Sequence, residues 1–156
     1  MAIRGLQYAV VAGTMFALTL SVSAQEKKVD RAKLPAAVEK TVQEQSKGST
    51  IKGISSEIED GVFQYEVEMT AVDHSKDIAI AKDGTLLEIE EEVAFASLPA
   101  NVQSALTAKL AGAKITKVES LTKKGKLVAY EAATLKGTKK GEIQVGPAGE
   151  KLMHEE

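Results

Sequence analysis

Hydrophobic residues open the chain in one short, nearly continuous block. Arg4 precedes an apolar run from about Tyr8 to Leu20, and small residues follow up to Ala24. A cation, an apolar run and a small-residue end are the three parts of a secretory signal. The run is short for a membrane span of about 20 residues. The pattern predicts a cleaved signal peptide over residues 1–24, an exported protein in the periplasm or secreted, and no stable membrane anchor after cleavage.

Two later segments repeat apolar residues at the spacing of an amphipathic helix. Pro35 and Pro99 open the two segments, at a position where a helix does not need a backbone N–H. The apolar stripes are Leu34, Val38 and Val42 in the first segment and Leu98, Val102, Leu106 and Leu110 in the second. Gly48 and Gly112 follow, where helices commonly end. The spacing predicts a helix with one buried face at the start of each segment.

Alternating apolar and polar residues after each helix predict β-strands. Residues 63–69 alternate strictly, which is typical of a strand with one buried and one solvated face. Tyr65 in this strand and Tyr130 in the later segment fall in the buried phase of the alternation, so we expect both to pack in the core. Turns that contain glycine, such as Asp83-Gly84, separate the strands.

The two segments match one another along their length. Leu34-Pro35-Ala36 recurs as Leu98-Pro99-Ala100 at an offset of 64, and Tyr65-Glu66 recurs as Tyr130-Glu131 at an offset of 65. An ordered series of matches with one inserted residue is typical of a duplicated unit.

The fold class that follows is α+β. After an N-terminal linker over residues 25–33, repeat 1 covers residues 34–96 and repeat 2 covers residues 97–156, each a helix followed by an antiparallel sheet of about four strands. A unit of about 60 residues without a disulfide or a metal is marginal alone. We therefore expect the repeats to pack together, and the sequence leaves open whether they share one continuous sheet.

A family resemblance rests on three features of the matched segments. The helix that begins Leu-Pro-x-x-Val, the alternating strand with Tyr-Glu and the final strand–Asp-Gly–strand hairpin resemble the PepSY-like family. That family includes proteins similar to the β-lactamase inhibitor protein, which also joins two copies of a helix-plus-sheet unit. The resemblance covers residues 34–156. It implies an exported location and a binding role, with inhibition of peptidases as a family theme, and it carries over no catalytic residues.

Composition removes several function classes. Cysteine is absent, which excludes a disulfide scaffold, a thiol nucleophile and a thiolate zinc site. Tryptophan is absent, there are three Tyr and three Phe, and no arginine follows Arg31. The chain therefore lacks the stacking and bidentate contacts that favour nucleic acid. His74 and His154 are the two histidines. The sequence predicts neither nucleic acid binding nor a cofactor.

Charge separates the two repeats more than any other property. Residues 34–97 carry 5 lysines against 14 acidic residues, a net charge of −9, whereas residues 98–156 carry 10 lysines against 6 acidic residues, a net charge of +4. The candidate binding surface is the exposed sheet face of the two repeats, or the unequal loops 73–77 and 136–141. The candidate partner-binding residues in and beside them are Asp73, His74, Asp77, Lys136, Lys139 and Lys140. Opposite charge also predicts attraction between the two halves of the chain.

The leading hypothesis is a non-catalytic exported protein that binds a partner protein and inhibits or modulates a secreted or envelope hydrolase of the peptidase or β-lactamase type. The alternative is a small-ligand or cation sensor, because Glu88, Glu90 and Glu92 share one face of a predicted strand and offer oxygen ligands suited to Ca²⁺. The 73–77 loop offers two carboxylates and a histidine to zinc, although their spacing matches no recognised zinc motif. An enzyme that uses carboxylates is the third option.

Overall fold

The computed structural model describes residues 26–59 and 61–154, so the predicted signal peptide lies outside the described residues. These residues form one antiparallel sheet of eight strands and two α-helices. The helices are α1 (Ala36–Gln45) and α2 (Ala100–Lys109). The strands in chain order are β1 (Lys27–Lys28), β2 (Ser49–Glu59), β3 (Val62–Ala71), β4 (His74–Ala81), β5 (Leu86–Glu92), β6 (Lys114–Lys123), β7 (Lys126–Lys136) and β8 (Lys139–Val145).

Both helices begin directly after a proline and bury a narrow apolar stripe. Pro35 and Pro99 each lie directly before the first helical residue. Each helix therefore begins one residue later than the sequence predicts. Proline suits this boundary because the start of a helix leaves backbone N–H groups without helical partners. The fully buried helical residues are Val38, Val42, Val102 and Leu106. Each helix therefore packs on the sheet through the stripe that its spacing predicts.

Strands that are neighbours in the sheet are also neighbours in the sequence, and all of their pairings are antiparallel. β5 pairs with β6 from Glu88–Lys123 to Glu92–Glu119. This pairing joins the half of the chain that follows α1 to the half that follows α2. One continuous sheet therefore runs through both halves, which answers the question that the sequence leaves open.

The hydrophobic core lies between the helices and one face of the sheet. The cluster beside α1 consists of Val38, Val42, Ile54, Val67, Met69, Ile78 and Ile80. The cluster beside α2 consists of Leu98, Val102, Leu106, Val118, Ala132 and Val145. Tyr65 packs against the first cluster and Tyr130 against the second, as the alternation predicts.

The β6–β7 pairing contains an irregularity at the place where the offset between the two matched segments changes. Leu121 pairs with Ala129, whereas the next residue of β6, Thr122, pairs with Leu127, so Val128 is the extra residue of β7. A bulge of this kind adds one residue to a strand and increases its local twist. The sequence places its inserted residue in this same part of the second segment.

Up to residue 154, the second half of the chain has three strands where the sequence predicts about four. β8 ends at Val145, and the described residues after it form no strand. The turn itself is present, because the Gly146 N–H donates to the Glu150 carbonyl oxygen at 2.8 Å. In the first half, β5 is held between β4 and β6. A short last strand in the second half would gain hydrogen bonds on one side only, which gives it little support.

Two glycines let a turn of the sheet touch the first turn of each helix. Gly84 has a φ of 87°, and a Cβ at this position would lie 2.6 Å from the Ala37 carbonyl oxygen. Gly149 has a φ of 79°, and its Cβ would lie 2.7 Å from the Asn101 carbonyl oxygen. Both the positive φ and the close approach require glycine. These contacts fix the height of each helix above the sheet.

Candidate functional site: the polar face of the sheet

The helices cover one face of the sheet, and the opposite face carries polar and acidic side chains. Along each strand the residues of this second face alternate with core residues, as Glu66 does with Tyr65 and Val67. We call this surface the polar face. Cross-strand pairing aligns its acidic residues in rows, with Glu68, Asp77 and Glu90 in one row and Glu92, Glu119 and Glu131 in the next. The polar face therefore joins acids from both halves of the chain.

Many side chains of the polar face are buried against one another. Glu119 is 6% exposed, Gln64 is 6% exposed and Gln144 is 5% exposed. Gln64 Nε2 donates to a carboxylate oxygen of Glu59 at 2.5 Å, and Gln144 Nε2 donates to Glu131 Oε2 at 2.8 Å. Because buried polar groups need partners, these amides hold the neighbouring carboxylates in fixed positions.

Three carboxylates and one lysine meet at the centre of the polar face, and we call these four residues the central cluster. One carboxylate oxygen from each of Asp77, Glu90 and Glu119 lies within 4.8 Å of the others. Lys117 Nζ lies 2.8 Å from Glu119 Oε1. Burial alone would lower the pKa of Lys117, but its contact with Glu119 and the charges of Asp77 and Glu90 raise that pKa above its ordinary value. Lys117 is thus the internal counter-ion of the cluster.

Burial and mutual repulsion raise the pKa values of four carboxyl groups on the polar face, of which Asp77 is one. Burial, reinforced by neighbouring acids, raises the pKa of Glu66 to about 7. Burial and the contact with Glu88 raise the pKa of Glu90 to about 8. Burial is also the main cause that raises the pKa of Glu131 to about 7. The polar face therefore holds protons near neutral pH, and a positive charge placed on it would favour their release.

Asp77 lies on the polar face, away from Asp73 and His74, the other two candidate residues of the 73–77 loop. His74 has the opposite phase in β4 and bonds through its ring nitrogens to Glu91 Oε1 at 2.9 Å and Asp73 Oδ1 at 3.2 Å. These contacts, with Glu91 first, raise the pKa of His74. Because strand alternation sends residues 74 and 77 to opposite faces, Asp73, His74 and Asp77 do not form the zinc set that the sequence offers as an option.

The candidate lysines lie in the other half of the sheet, on the β7–β8 hairpin. Lys136 Nζ donates to the Ala111 carbonyl oxygen at 2.6 Å, which ties the hairpin to the loop after α2. Lys139 and Lys140 are exposed in β8. The six partner-binding residues suggested by the sequence therefore occupy separate places and do not form a single site.

Glu88, Glu90 and Glu92 share the polar face, as the alternation predicts, but their contacts with the neighbouring strands differ. Glu88 Oε2 lies 3.6 Å from Lys123 Nζ. Glu92 Oε2 accepts hydrogen bonds from the Ser75 N–H at 3.2 Å and the Ser75 hydroxyl at 3.1 Å. Glu90 belongs to the central cluster. The strand therefore does not present these three carboxylates to one ion.

The sequence offers the exposed sheet face of both repeats as a binding surface, but it does not single out the residues of the second half on that face. Lys117 and Glu119 alternate with the core residue Val118, so their shared face is readable from the pattern. Their position beside Glu90 is not readable, because it depends on the pairing of β5 with β6. Glu119 lies in the basic half of the chain, so the charge of that half does not indicate that this residue belongs to an acidic cluster.

Comparison with solved structures finds proteins of the same fold. A protein from Bacteroides eggerthii that is assigned to the periplasm superposes with a TM-score of 0.61 at 16% identity, covering 75% of this chain and 84% of its own. A BLIP-like protein from Bacteroides fragilis gives a TM-score of 0.57 at 20% identity, covering 79% and 85%. A DUF2874 family protein from Bacteroides ovatus gives 0.58 at 16% identity, covering 78% and 85%. At these identities the likeness shows a BLIP-like α+β fold.

No protein-family model matches the sequence, and no curated protein matches it. Within residues 26–59 and 61–154, no helix is both long and apolar enough to cross a membrane. The exported location that the signal peptide predicts agrees with the periplasmic assignment of the Bacteroides eggerthii protein.

Proposed function

We propose that this chain is an exported, non-catalytic binding protein whose polar face docks onto a positively charged surface of a partner protein. The observation that carries the proposal is the set of half-buried carboxylates on a sheet face that the helices leave uncovered. Glu66, Glu90 and Glu131 are half-buried among other acids, which raises their pKa values to between about 7 and about 8. Lysine or arginine side chains of a partner would relieve this repulsion, so a basic surface is the complementary one.

A shallow depression on the polar face is the centre of the proposed contact. Its polar lining consists of Glu57, Glu59, Gln64, Glu66, Asp77, Glu88 and Glu90. These residues stand on four adjacent strands, so the surface is held in place before a partner arrives and little conformational entropy is lost on binding. An open surface of this kind favours protein recognition, whereas catalysis generally uses a concave site that excludes water.

A secreted or envelope hydrolase of the peptidase or β-lactamase type is the partner class that we propose. The resemblance to the PepSY-like family supports this choice. A further support is the BLIP-like protein among the proteins of the same fold, at 20% identity. A binding protein can inhibit a hydrolase by covering its active site, which requires complementary shape and charge but no catalytic residue of its own.

We also propose that the two halves derive from one duplicated PepSY-like unit. Val38 and Val102 are each the third residue of their helix, and both are fully buried. Tyr65 and Tyr130 each pack against the core cluster of their own half. Under this proposal the core positions keep the ancestral pattern, while the two halves have come to differ in charge.

Binding of a divalent cation at the central cluster is the alternative function. The convergence of Asp77, Glu90 and Glu119 within 4.8 Å favours it, since hard cations prefer carboxylate oxygens. Lys117, however, already supplies a positive charge at 2.8 Å from Glu119. We therefore favour binding of a partner protein over binding of a cation.

A panel of purified secreted peptidases and β-lactamases tests the proposed partner class. Each enzyme is passed over the immobilised protein, and its residual activity is then measured with the protein in excess. We expect at least one enzyme to bind reversibly and to lose activity in proportion to occupancy. A panel in which no enzyme binds, or in which binding leaves every activity unchanged, would contradict the role of hydrolase inhibitor.

A further inference from the structure

β8 is an edge strand whose outer side is open. It pairs with β7 on one side, and no other described strand pairs with it. Its first four residues, 139–142, are all exposed. In the first half of the chain the corresponding strand, β4, has β5 on its outer side. The opposite edge of the sheet is partly covered, because β1 pairs with β2. The outer side of β8 is therefore an edge at which this sheet can be extended.

Hydrogen bonds on the neighbouring strands show which backbone groups of β8 point outward. Thr116 Oγ1 donates to the Ala133 carbonyl oxygen at 3.1 Å, so that carbonyl faces β6. Backbone groups alternate in direction along an antiparallel strand. Glu142, the partner of Ala133 across β7 and β8, therefore turns its own N–H and C=O away from β7. Lys140, two residues earlier, has the same phase and also faces outward.

The C-terminal end of this edge is already closed by α2. Gln144 has the same phase as Glu142, and its carbonyl oxygen accepts a hydrogen bond from Lys109 Nζ at 2.6 Å. This contact occupies an outward carbonyl and places a helix residue at the edge. The stretch available for strand pairing is thereby limited to residues 139–143.

We propose that this open edge pairs with the same edge of a second copy of the chain, in an antiparallel register centred on Gly141. In this register Lys140 lies opposite the partner's Glu142, and two-fold symmetry repeats the pair. Both residues face outward, so they form the hydrogen-bonded pairs of the new ladder. Gly141 then lies opposite its own copy in the narrower, non-hydrogen-bonded position, where the absence of a side chain permits the closest approach.

Charge selects this register over its neighbours. The next registers that keep the outward groups aligned place Glu142 opposite the partner's Glu142, or Lys140 opposite the partner's Lys140. Like charges directly opposite one another destabilise a strand pair, whereas opposite charges stabilise it. Lysines on an edge strand usually discourage pairing. Here the glutamate two residues after Lys140 makes the pattern complementary to itself.

The dimer has a consequence for the polar face. Lys140 and Glu142 project from the same side of the sheet as Glu131 and Ala133. Pairing across the edge would therefore place the polar faces of both copies on one side of a joined sheet. Contact over about five residues per copy buries less than the roughly 1,200 Å² of a standard interface, so we expect a weak dimer that exchanges rapidly.

Sedimentation equilibrium over a range from low micromolar to near-millimolar protein tests the proposal. We expect wild type to show a monomer–dimer equilibrium. Lys140→Glu alone, or Glu142→Lys alone, replaces two attractive pairs with two repulsive ones and should weaken association by about tenfold or more. The combined variant Lys140→Glu/Glu142→Lys restores complementarity and should restore the dimer. Lys40→Glu on the exposed side of α1 is the matched control and should associate like wild type.

Three outcomes would overturn the proposal. The first is a wild type that stays monomeric at every concentration, which would leave the edge to a strand of another protein. The second is a dimer that the single charge reversals do not weaken. The third is a combined variant that stays monomeric although its circular dichroism matches wild type. Because all of the changed residues are exposed, we expect each variant to fold.

Discussion

Lys117 Nζ lies 2.8 Å from Glu119 Oε1, in the middle of a sheet face that otherwise accumulates negative charge. Glu119 is 6% exposed, and the carboxylates of Asp77 and Glu90 lie beside it. The lysine therefore stabilises a buried carboxylate that has no other cation within the central cluster. It compensates only part of the negative charge of the cluster, because three carboxylates face one lysine, so Asp77 and Glu90 stay part of the surface that a partner can contact.

Removal of this counter-ion should destabilise the fold. In Lys117→Met the Glu119 carboxylate stays buried without its cation, and we expect a loss of about 1–3 kcal/mol in the free energy of unfolding at pH 7. The additional change Glu119→Gln removes the uncompensated charge and should recover most of the loss. Urea denaturation at pH 7 measures both effects. Equal stability of Lys117→Met and wild type would show that the ion pair contributes nothing.

Calcium should not stabilise the wild-type protein. A cation that binds the folded state alone must raise the melting temperature, but Lys117 already occupies the cluster as its positive charge. We expect no change in melting temperature between excess Ca²⁺ and excess chelator, measured by differential scanning fluorimetry. A clear, saturable increase with Ca²⁺ that Asp77→Asn abolishes would favour the cation-binding function over the protein-binding one.

Stability should fall as the pH rises from about 5 to about 8. The pKa of Glu90 is raised to about 8 in the folded state from its ordinary value of 4.5. The folded protein therefore holds a proton that the unfolded chain has lost, and the stability that this group contributes decreases through that window. Glu66 and Glu131, with pKa values raised to about 7, act in the same direction.

Glu90→Gln separates this effect from other pH-dependent terms. The variant should melt at a higher temperature than wild type at pH 8, by about 2–4 °C for each kcal/mol recovered, and close to wild type at pH 5. Glu44→Gln, on the exposed side of α1, is the control and should change neither value. Thermal melts at pH 5 and pH 8 measure the difference in melting temperature between each variant and wild type. A difference for Glu90→Gln that is the same at both pH values would contradict the proposed proton uptake.

The two halves of the sheet should unfold together. β5 and β6 pair directly, so a cavity in one half should lower the stability of both. Leu106→Ala removes a fully buried side chain beside α2 and should cost about 2–5 kcal/mol. We expect a single urea transition at lower midpoint by circular dichroism. Two separate transitions, with one at the wild-type midpoint, would show that the halves unfold independently. Ser104→Ala, exposed on the same helix, is the control.

Local structure is predictable from this sequence because spacing alone determines which residues share a face. Val38 and Val102 carry a helical spacing that needs no long-range information, and both are buried where the pattern places them. The alternation around Tyr65 likewise identifies the core side of β3. The sequence predicts one strand too many in the second half. The turn at Gly149 matches the turn at Gly84, but it is not followed by a strand among the described residues.

The site is less predictable because its residues meet through strand pairing. The sequence singles out Asp77, but pairs it with its near neighbours Asp73 and His74. The structure places Asp77 with Glu90 on the adjacent strand and with Glu119 beyond it. Nothing local in the sequence specifies that β5 pairs with β6, and without that pairing the polar face cannot be assembled from the two halves.

Charge reversal on the polar face, measured as affinity for the hydrolases of the panel, tests the central proposal most directly. Glu68→Lys changes an exposed acid on the polar face, and Glu44→Lys makes the same change on the exposed side of α1. We predict that a hydrolase which binds wild type binds Glu68→Lys at least about tenfold more weakly, a difference of about 1.4 kcal/mol, and binds Glu44→Lys with unchanged affinity. Equal affinity for both variants, or a greater loss with Glu44→Lys, would contradict docking through the polar face.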